Sequence, residues 1–356
     1  MAKRAGVDKW MFFITVLLIV AGLAMVFSAS AIMAQERYHS PYTFVGKQAL
    51  WALLGLAALL ILSRIDYTIY KSPRFIYPAL SVTILLLVSV FLIPGSHNTH
   101  RWIRFGDFFT FQPSEIAKPV LVLFLAWFLS TRLDKMRDWK NTLARAILIP
   151  VVFIILIVRQ PDLGTALVLA GVTAMMLFLA GMNWKYLAGV VCAALPFLAA
   201  MLIWVPWRWA RIMVFLHPNC DAKELPAASY HVCQSLIAVG TGGITGFLPE
   251  AHTDFIFANI AEEMGFIGAI AIVLLFAAFA LRGLRIAFHV QDPFGRLTAF
   301  GITVAVVLQA FFNISVVLAL LPTKGIPLPL ISSGGTSIAV TLASIGILLN
   351  ISRKVD

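Results

Sequence analysis

Apolar runs of about twenty residues recur along the whole 356-residue chain, and this feature constrains its fold more than any other. A helix of that length spans the roughly 30 Å hydrocarbon core of a bilayer. Hydrophobic residues make up 61% of the chain and charged residues 12%, with a mean hydropathy of +0.93. This balance excludes a soluble domain of this length. We therefore expect an all-α polytopic membrane protein that forms one domain over residues 1–356.

The apolar runs predict ten transmembrane helices. The expected spans are 10–33, 45–63, 76–94, 114–131, 143–159, 163–181, 185–205, 254–281, 296–321 and 335–352. The runs on either side of Arg159-Gln160-Pro161-Asp162 could instead form one broken span, which would reverse the side of every later loop. Only with ten spans do most of the 27 Lys and Arg residues lie in or beside cytoplasmic segments. Both termini are then cytoplasmic, and the net charge of +11 reflects topology rather than nucleic-acid binding.

With this topology the long connections face the outside of the cell. They are residues 95–113, the Arg-Gln-Pro-Asp turn, residues 206–253 between the seventh and eighth helices, and the Pro- and Gly-rich residues 322–334. Long irregular connections in a compact protein are usually functional, so we expect the chemistry at the outer face. Cys220 and Cys233 share the longest outer segment, either as a disulfide or as two unpaired thiols.

Ionisable side chains at membrane depth are costly and mark sites or pathways. In the run Phe-Gln-Pro-Ser-Glu-Ile-Ala-Lys at 111–118, Ser114 is placed to cap a helix. Glu115 and Lys118 are three residues apart, so they share a face of that helix and can pair. The pair either lets two charges enter the membrane or belongs to a substrate site.

The turn between the fifth and sixth predicted spans holds two further charged groups. Asp162 follows Pro161, which ends the preceding helix, and is placed to cap the next one. Arg159 lies just outside the apolar core and is a candidate for holding a phosphate.

Three protonatable groups, Glu250, His252 and Asp254, precede the eighth span. Asp254 is placed at a helix start, where the helix dipole favours the ionised, basic carboxylate, and His252 or Glu250 would tune it. An elaborate helix cap is the alternative interpretation. Two turns deeper in the same predicted helix, the adjacent acids at 262–263 point to different sides, and we expect one to pair with Lys118 or an arginine.

The segment at 321–337 contains prolines that preclude a regular helix. Its Ser332-Ser333-Gly334-Gly335 run would offer N–H groups at a helix start that suit an anion, and Lys324 would add positive charge. The segment is either a re-entrant loop or a simple connector between helices.

Together these motifs resemble the SEDS family, the FtsW/RodA group of polytopic peptidoglycan polymerases of the bacterial cytoplasmic membrane. The matching runs, in the family's order, are those at 111–118, Gln-Pro-Asp-Leu-Gly-Thr at 160–165, Leu-Pro-Glu-Ala-His-Thr-Asp-Phe-Ile-Phe at 248–257, the Glu pair and Pro-Leu-Ile-Ser-Ser-Gly-Gly at 329–335. Ala251 and the Leu-Pro-Thr-Lys-Gly run at 321–325 look more like the division branch than the elongation branch. The chain departs from the family in two places. A glycine-rich and polar stretch expected after Gly246 is missing, and Ser333 stands where an aromatic residue is common.

The resemblance implies that lipid II is polymerised by glycosyl transfer onto a nascent glycan strand. Asp254 would be the general base that takes the proton from the acceptor hydroxyl. Arg101, Arg104, Lys118 and Lys324, and less directly Arg159, would meet the leaving pyrophosphate. The full predicted substrate-binding set is Arg101, Arg104, Glu115, Lys118, Arg159, His252, Lys324, Ser332 and Ser333.

The resemblance also has implications for cofactors and partners. We expect no covalently bound cofactor, and a divalent Mg or Mn ion would arrive with the pyrophosphate because no His/Cys/Asp cluster has metal-ligand spacing. The expected partners are a class B penicillin-binding protein and other divisome or elongasome membrane proteins, without nucleic acid. Two other functions stay open. A lipid II flippase needs polar residues through the whole membrane thickness, whereas a non-catalytic divisome scaffold would tolerate loss of Asp254.

Overall fold

Long helices account for most of the chain in the computed structural model, which describes residues 6–92, 101–105, 109–135, 142–186, 188–189, 192, 196, 206–216, 227–243, 256–322 and 325–354. The helices are α1 (Lys9–Tyr38), α2 (Thr43–Leu62), α3 (Pro73–Ser89), α4 (Pro113–Ser130), α5 (Ala144–Arg159), α6 (Leu163–Leu179), α7 (Pro206–Leu216), α8 (Ala227–Thr241), α9 (Ile256–Glu263), α10 (Gly265–His289), α11 (Pro293–Val317) and α12 (Gly335–Ser352). Short 3-10 helices occupy Tyr67–Lys71 and Leu133–Lys135. Strands β1 (Ile103–Phe105) and β2 (Phe109–Phe111) pair antiparallel, with Ile103 opposite Phe111.

Every predicted span except 185–205 consists mainly of helix, and that one lies largely outside the described residues. Helices α1, α2, α4, α10, α11 and α12 are long and apolar enough to cross a membrane, and α3 and α6 are shorter apolar helices. Several helices begin where a side chain can accept from the first free N–H groups: Asp8 caps α1, Ser72 caps α3 and Asp292 caps α11. The predicted polytopic helical membrane fold is confirmed.

The two runs around Pro161 form separate helices. Helix α5 ends at Arg159 and α6 begins at Leu163, and the two helices pack against each other and against α4. The alternative of a single broken span is therefore excluded, and the predicted order of inside and outside segments holds through this region.

Three expectations need correction. The span 254–281 is not one helix, because α9 ends at Glu263 and α10 starts at Gly265, whose φ of 63° lies in the left-handed region that favours glycine. The outer segment 206–253 is not only a loop, since it contains α7 and α8. The outer segment 95–113 adds a two-stranded hairpin to a fold expected to be wholly helical.

The state of one outer cysteine is also settled. Cys233 on α8 is disulfide-bonded, whereas Cys192 is free and exposed. The alternative of two unpaired thiols in the outer segment 206–253 is therefore excluded.

The predicted cytoplasmic segments lie at one end of the helix bundle, as the topology requires. Three ion pairs join them: Asp8 with Arg282 at 2.6 Å, Lys354 with Asp66 at 3.3 Å, and Lys71 with Asp292 at 3.5 Å. The pairs at Asp66 and Asp292 are solvent-exposed and add at most about 1 kcal/mol each, so they fix which segments meet more than they stabilise the fold. The Asp8–Arg282 pair is more buried, with the Asp8 side chain 9% exposed.

Tyr67, in the turn between α2 and α3, is the central packing residue of this end. Its N–H donates to Asn350 Oδ1 at 2.9 Å, its ring stacks on Phe294, and Lys354 Nζ lies 4.6 Å from the ring centroid. Burial, followed by the charge of Asp292 and a hydrogen bond to it, raises the pKa of the Tyr67 hydroxyl well above its usual value. The hydroxyl therefore stays protonated and ties the α2–α3 turn to the start of α11.

We expect Tyr67→Ala to lower the midpoint of thermal unfolding strongly, because replacing a buried aromatic ring by alanine costs about 3–5 kcal/mol. Tyr67→Phe keeps the ring and loses only the hydrogen bond to Asp292, a loss of about 1 kcal/mol. Thermal unfolding of the purified protein in detergent measures both. Phe288→Ala is the control, since the Phe288 side chain is 59% exposed. Equal midpoints for Tyr67→Ala and Phe288→Ala would contradict the assignment of Tyr67 as a packing centre.

Candidate functional site

Residues 325–334, here called the re-entrant segment, have no helical structure and lie inside the helix bundle. Most of their side chains are buried, including Leu330 and Ile331 at 1% and 0% exposed. The segment reaches the middle of α1, where a Cβ on Gly22 would lie 2.6 Å from Leu330 O. This close approach confirms the re-entrant interpretation over that of a simple connector.

The backbone carbonyls of the re-entrant segment are satisfied by side-chain amides. The donors and acceptors are Gln309 Nε2 to Pro327 O at 2.8 Å, Asn313 Nδ2 to Ile326 O at 2.7 Å, and Gln48 Nε2 to Ser332 O at 3.1 Å. Within a membrane protein an irregular backbone is tolerated only where such partners replace water. Sequence reasoning missed these amides. Their signal is the four-residue spacing of Gln309 and Asn313, which places two amides on one face of an apolar helix.

Ser332 and Gly334 use their polar groups within the protein. The Ser332 hydroxyl accepts from Leu328 N at 2.8 Å, and the Gly334 N–H donates to Gln48 Oε1 at 3.4 Å. The expectation that the Ser-Ser-Gly-Gly run presents its N–H groups to an anion is therefore wrong for Gly334. Ser333 is exposed, and the substrate-binding roles of both serines stay predictions.

Glu115 and Lys118 form the ion pair that their spacing predicts. Lys118 Nζ lies 2.8 Å from Glu115 Oε2 and 2.6 Å from Gln309 Oε1. Both charged residues are buried, with Lys118 7% exposed and Glu115 1% exposed. Desolvation of both charges is costly, and the pair offsets it only with good geometry and added hydrogen bonds. The contact with Gln309 is a hydrogen bond, whereas Glu115 Oε2 is buried without a hydrogen-bond partner among the described residues. An ammonium has three N–H donors, so donors remain for a further ligand.

A small pocket with a cavity volume of about 20 Å³ opens beside this ammonium. It lies among α4, α11, α12 and the re-entrant segment. The lining residues are Lys118, Pro119, Val122, Ile302, Ala305, Val306, Gln309, Pro329, Val340, Thr341 and Ser344. Because most of these side chains are apolar and one is cationic, the pocket walls have the chemistry to contact an anionic group attached to hydrocarbon.

A second polar cluster lies at the outer end of α4 and α6, around Asp162. Its carboxylate accepts from Thr165 N at 3.1 Å, which confirms the predicted cap of α6. It also accepts from Gln112 Nε2 at 3.1 Å and from Ser114 Oγ at 3.3 Å. The prediction that Ser114 caps α4 is wrong, because the residue before that helix's first turn is Gln112 and the Ser114 hydroxyl is directed to Asp162.

The hairpin is held against this cluster. Arg101, just before β1, donates through Nε to Gln160 O at 3.0 Å and through Nη2 to Pro161 O. Thr336, at the start of α12, donates to Thr110 O at 2.9 Å. The hairpin therefore joins the α5–α6 turn to the helix that follows the re-entrant segment, and Arg101 has a structural role in addition to its predicted one.

The remaining predicted cations are placed differently. Arg159 is the last residue of α5 and is exposed, directly before the Gln160 carbonyl that Arg101 contacts. Arg104 lies in β1, but its side chain is outside the described residues.

Some predicted residues cannot be placed. Glu250, His252, Asp254 and Lys324 lie outside the described residues. The expectation that an acid at 262–263 pairs with Lys118 is wrong, since the partners of Lys118 in the described part of the chain are Glu115 and Gln309. Neither acid forms an ion pair with any residue that the structure describes.

Comparison with known proteins gives full-length matches. A family model for FtsW, RodA and SpoVE, described as cell cycle protein, matches residues 9–356. The probable peptidoglycan glycosyltransferase FtsW of Geobacter metallireducens is 41% identical, over 94% of this chain and 91% of the relative. Stage V sporulation protein E of Bacillus subtilis is 35% identical, over 99% and 98%. The alignment with the FtsW relative of Geobacter sp. M18 runs over 369 residues, so that relative has residues without a counterpart in this 356-residue chain.

Solved structures also match over almost the whole chain. A chain from work on structural coordination of polymerization and crosslinking by a peptidoglycan synthase complex superposes with a TM-score of 0.81 at 27% identity, covering 98% of both chains. The crystal structure of the rod shape determining protein RodA of Thermus thermophilus superposes with a TM-score of 0.72 at 26% identity, covering 98% of this chain and 97% of that one.

We expect Gln309→Leu to loosen the re-entrant segment, because it leaves the Pro327 carbonyl without its donor at a cost of about 1–3 kcal/mol. To measure this loosening, a cysteine replaces the buried Ile331 in a Cys192→Ser background. We expect this cysteine to react several-fold faster with a maleimide when Gln309 is replaced. Gln35→Leu is the control, since Gln35 is exposed on α1. Unchanged labelling in Gln309→Leu would show that the amide does not hold the segment.

Proposed function

Because the chain belongs to the FtsW/RodA/SpoVE family, we propose that it is a peptidoglycan glycosyltransferase. It polymerises lipid II into β-1,4-linked glycan strands at the outer face of the bacterial cytoplasmic membrane, during division or elongation. The observation in the structure that best supports this activity is the buried Lys118 ammonium beside the apolar pocket. The FtsW names of the relatives favour the division branch.

Lipid II carries a pyrophosphate between a disaccharide and a long hydrocarbon, and the pocket has matching chemistry. Lys118 offers a positive charge and a donor, and the apolar walls from α4, α11 and α12 suit the first part of a lipid chain. Negative charge grows on the pyrophosphate as its bond to the sugar breaks. A cation held in a site of low polarity stabilises that charge far more than it would in water.

Asp254 is the proposed general base. It lies two residues before the start of α9, where the helix dipole favours an ionised carboxylate. Asp254 takes the proton from the acceptor 4-hydroxyl while that oxygen attacks the anomeric carbon of the donor. The bond to the pyrophosphate breaks, the configuration inverts, and undecaprenyl pyrophosphate leaves. His252 and Lys324 would assist the base and the leaving group respectively.

The other predicted cations have secondary roles. Arg101 has five N–H donors, and the two assigned to carbonyls of the α5–α6 turn leave others for a phosphate oxygen. Arg104 and Arg159 would add positive charge to the same outer region. Ser333 is exposed and would contact substrate directly, whereas Ser332 would do so only if the re-entrant segment moves, because its hydroxyl is bonded within that segment.

A divalent cation, Mg or Mn, would accompany the pyrophosphate. The described residues include no group of three or more His, Cys, Asp or Glu side chains arranged to hold a metal, and the Glu115 carboxylate already pairs with Lys118. The described residues alone therefore do not provide a metal site, and no step of the proposed mechanism passes through the ion.

We also propose that the protein works with a class B penicillin-binding protein and with other divisome or elongasome membrane proteins. The similarity to a chain of a peptidoglycan synthase complex supports such a partner. No segment of this chain resembles a transpeptidase, so crosslinking of the glycan strands needs a second protein.

Asp254→Asn should reduce polymerisation of purified lipid II by about 10²–10⁴-fold, since general base catalysis contributes that much. The assay uses the protein with its cognate penicillin-binding protein and measures glycan strand length. Asp134→Asn is the matched control, because Asp134 is an exposed carboxylate in a predicted cytoplasmic segment.

Other outcomes would change the assignment. Equal polymerisation by the wild type and Asp254→Asn would exclude Asp254 as the base. Translocation of lipid II in liposomes by a wild-type protein that forms no glycan would favour the flippase. An inactive wild type that still supports division when Asp254 is replaced would favour the scaffold.

A second experiment separates the two roles open for Lys118. Lys118→Met leaves Glu115 as a lone buried carboxylate, whereas Lys118→Met combined with Glu115→Gln removes both charges. If Lys118 meets the pyrophosphate, we expect both variants to lose more than tenfold in kcat/KM for lipid II while the double variant folds normally. Recovery of activity in the double variant would instead mean that Lys118 only neutralises Glu115.

A further inference from the structure

Four side chains lie at one end of the packed helices α3 and α4, and no proposed catalytic step uses them. They are Arg74 and Tyr77 on α3 and Trp127 and Arg132 on or just after α4, and we call them the α3–α4 surface. The Tyr77 and Trp127 rings meet edge to face with centroids 5.6 Å apart. The Arg132 guanidinium lies 4.1 Å from the centroid of Phe128, whose ring contacts that of Trp127.

The cations lie nearest the cytoplasm and the aromatic rings lie deeper, which matches the headgroup and acyl layers of a membrane boundary. Arg74 is in the first turn of α3 and Arg132 follows the last turn of α4, so both cations lie at the cytoplasmic end. Tyr77 and Trp127 lie about one turn further inside their helices. Tyr and Trp favour this depth because their rings face the acyl boundary and their polar tips face the headgroups. Tyr77 is 58% exposed and thus available to lipid.

The two arginines differ from three paired cations on the same face, although Arg64 and Arg285 are likewise without an ion pair among the described residues. Lys71, Arg282 and Lys354 are each paired with an aspartate. Arg74 and Arg132 form no ion pair with any described residue. The acids nearest to them in sequence are Asp66, which is held by Lys354, and Asp134, which is exposed.

The surface also has unused hydrogen-bond donors. Arg132 donates through Nη1 to Phe128 O at 3.3 Å and to Thr131 Oγ1 at 3.1 Å, which orients its plane and leaves Nε and Nη2 for another acceptor. The Tyr77 hydroxyl and the Trp127 indole N–H have no hydrogen-bond partner among the residues that the structure describes. Two guanidinium groups and two aromatic donors therefore lie at the same end of α3 and α4 with hydrogen-bond donors that no described residue uses.

We propose that the α3–α4 surface binds the phosphodiester headgroup of an anionic phospholipid from the cytoplasmic leaflet. Guanidinium groups bind phosphate oxygens through two parallel hydrogen bonds. The Tyr77 and Trp127 donors lie where the ester oxygens of such a lipid would be, and their rings lie against its acyl chains. A free phosphate would satisfy the arginines but leave the exposed aromatic faces uncovered, so charge and apolar surface together select a lipid.

The test uses the full-length protein, delipidated in a neutral detergent, with phosphatidylglycerol and phosphatidylcholine as probes. Native mass spectrometry measures how much of each lipid stays bound. We expect the wild type to bind phosphatidylglycerol at least tenfold more tightly than phosphatidylcholine, and Arg74→Gln with Arg132→Gln to lose most of this preference. Arg64→Gln with Arg285→Gln is the matched control, because it removes two exposed cytoplasmic cations that are outside the surface.

Each outcome decides the proposal. Equal loss of preference in the two double variants would mean that net charge, and not this surface, selects the lipid. Equal competition by water-soluble glycerol phosphate would show an anion site without a lipid component. If the Arg74 and Arg132 double variant does not fold, Tyr77→Leu replaces it, and an unchanged preference in Tyr77→Leu would overturn the role of the aromatic pair. None of these measurements depends on polymerase activity.

Discussion

An irregular backbone inside a bilayer must find hydrogen-bond partners within the protein, and the outer half of this molecule depends on how that constraint is met. The re-entrant segment has prolines that cannot donate and carbonyls that must accept. Gln309, Asn313 and Gln48 satisfy these carbonyls from α11 and α2. Because the same Gln309 amide also accepts from Lys118, the backbone of the re-entrant segment and the cation of the pocket are held by one side chain.

The buried ion pair of Glu115 and Lys118 needs a reason other than stability. A charged pair in an apolar bundle is costly, and replacing it with apolar residues is often neutral or stabilising. Lys118 is nevertheless placed at the wall of a pocket, and its ammonium, which hydrogen-bonds to Gln309, keeps donors for a ligand. The proposed role of Lys118, to meet a growing negative charge away from water, would account for the presence of both charges where apolar residues would pack at lower cost.

The two ends of the helix bundle are built differently. At the cytoplasmic end, ion pairs and the buried Tyr67 join the α2–α3 turn to the starts and ends of α11 and α12. At the outer end, neutral side-chain amides hold the re-entrant segment. Asp162, which caps α6, bonds to Gln112 after the hairpin, and Thr336 bonds to the hairpin itself. Ion pairs tolerate water and small movements, whereas the amide contacts fix an irregular backbone at a set depth. The outer end is thus the one suited to hold reacting groups in place.

The sequence by itself determined the span positions, the sidedness of the loops, the Glu115–Lys118 pair and the cap at Asp162. These features depend on local spacing along a helix and on the length that a bilayer requires. Only the tertiary structure decided that Ser114 contacts Asp162, that the helix around Gly265 is broken, and that Gln309 joins Lys118 to Pro327. Those contacts join residues far apart in the chain, and their partners depend on how the helices pack, which periodicity does not specify.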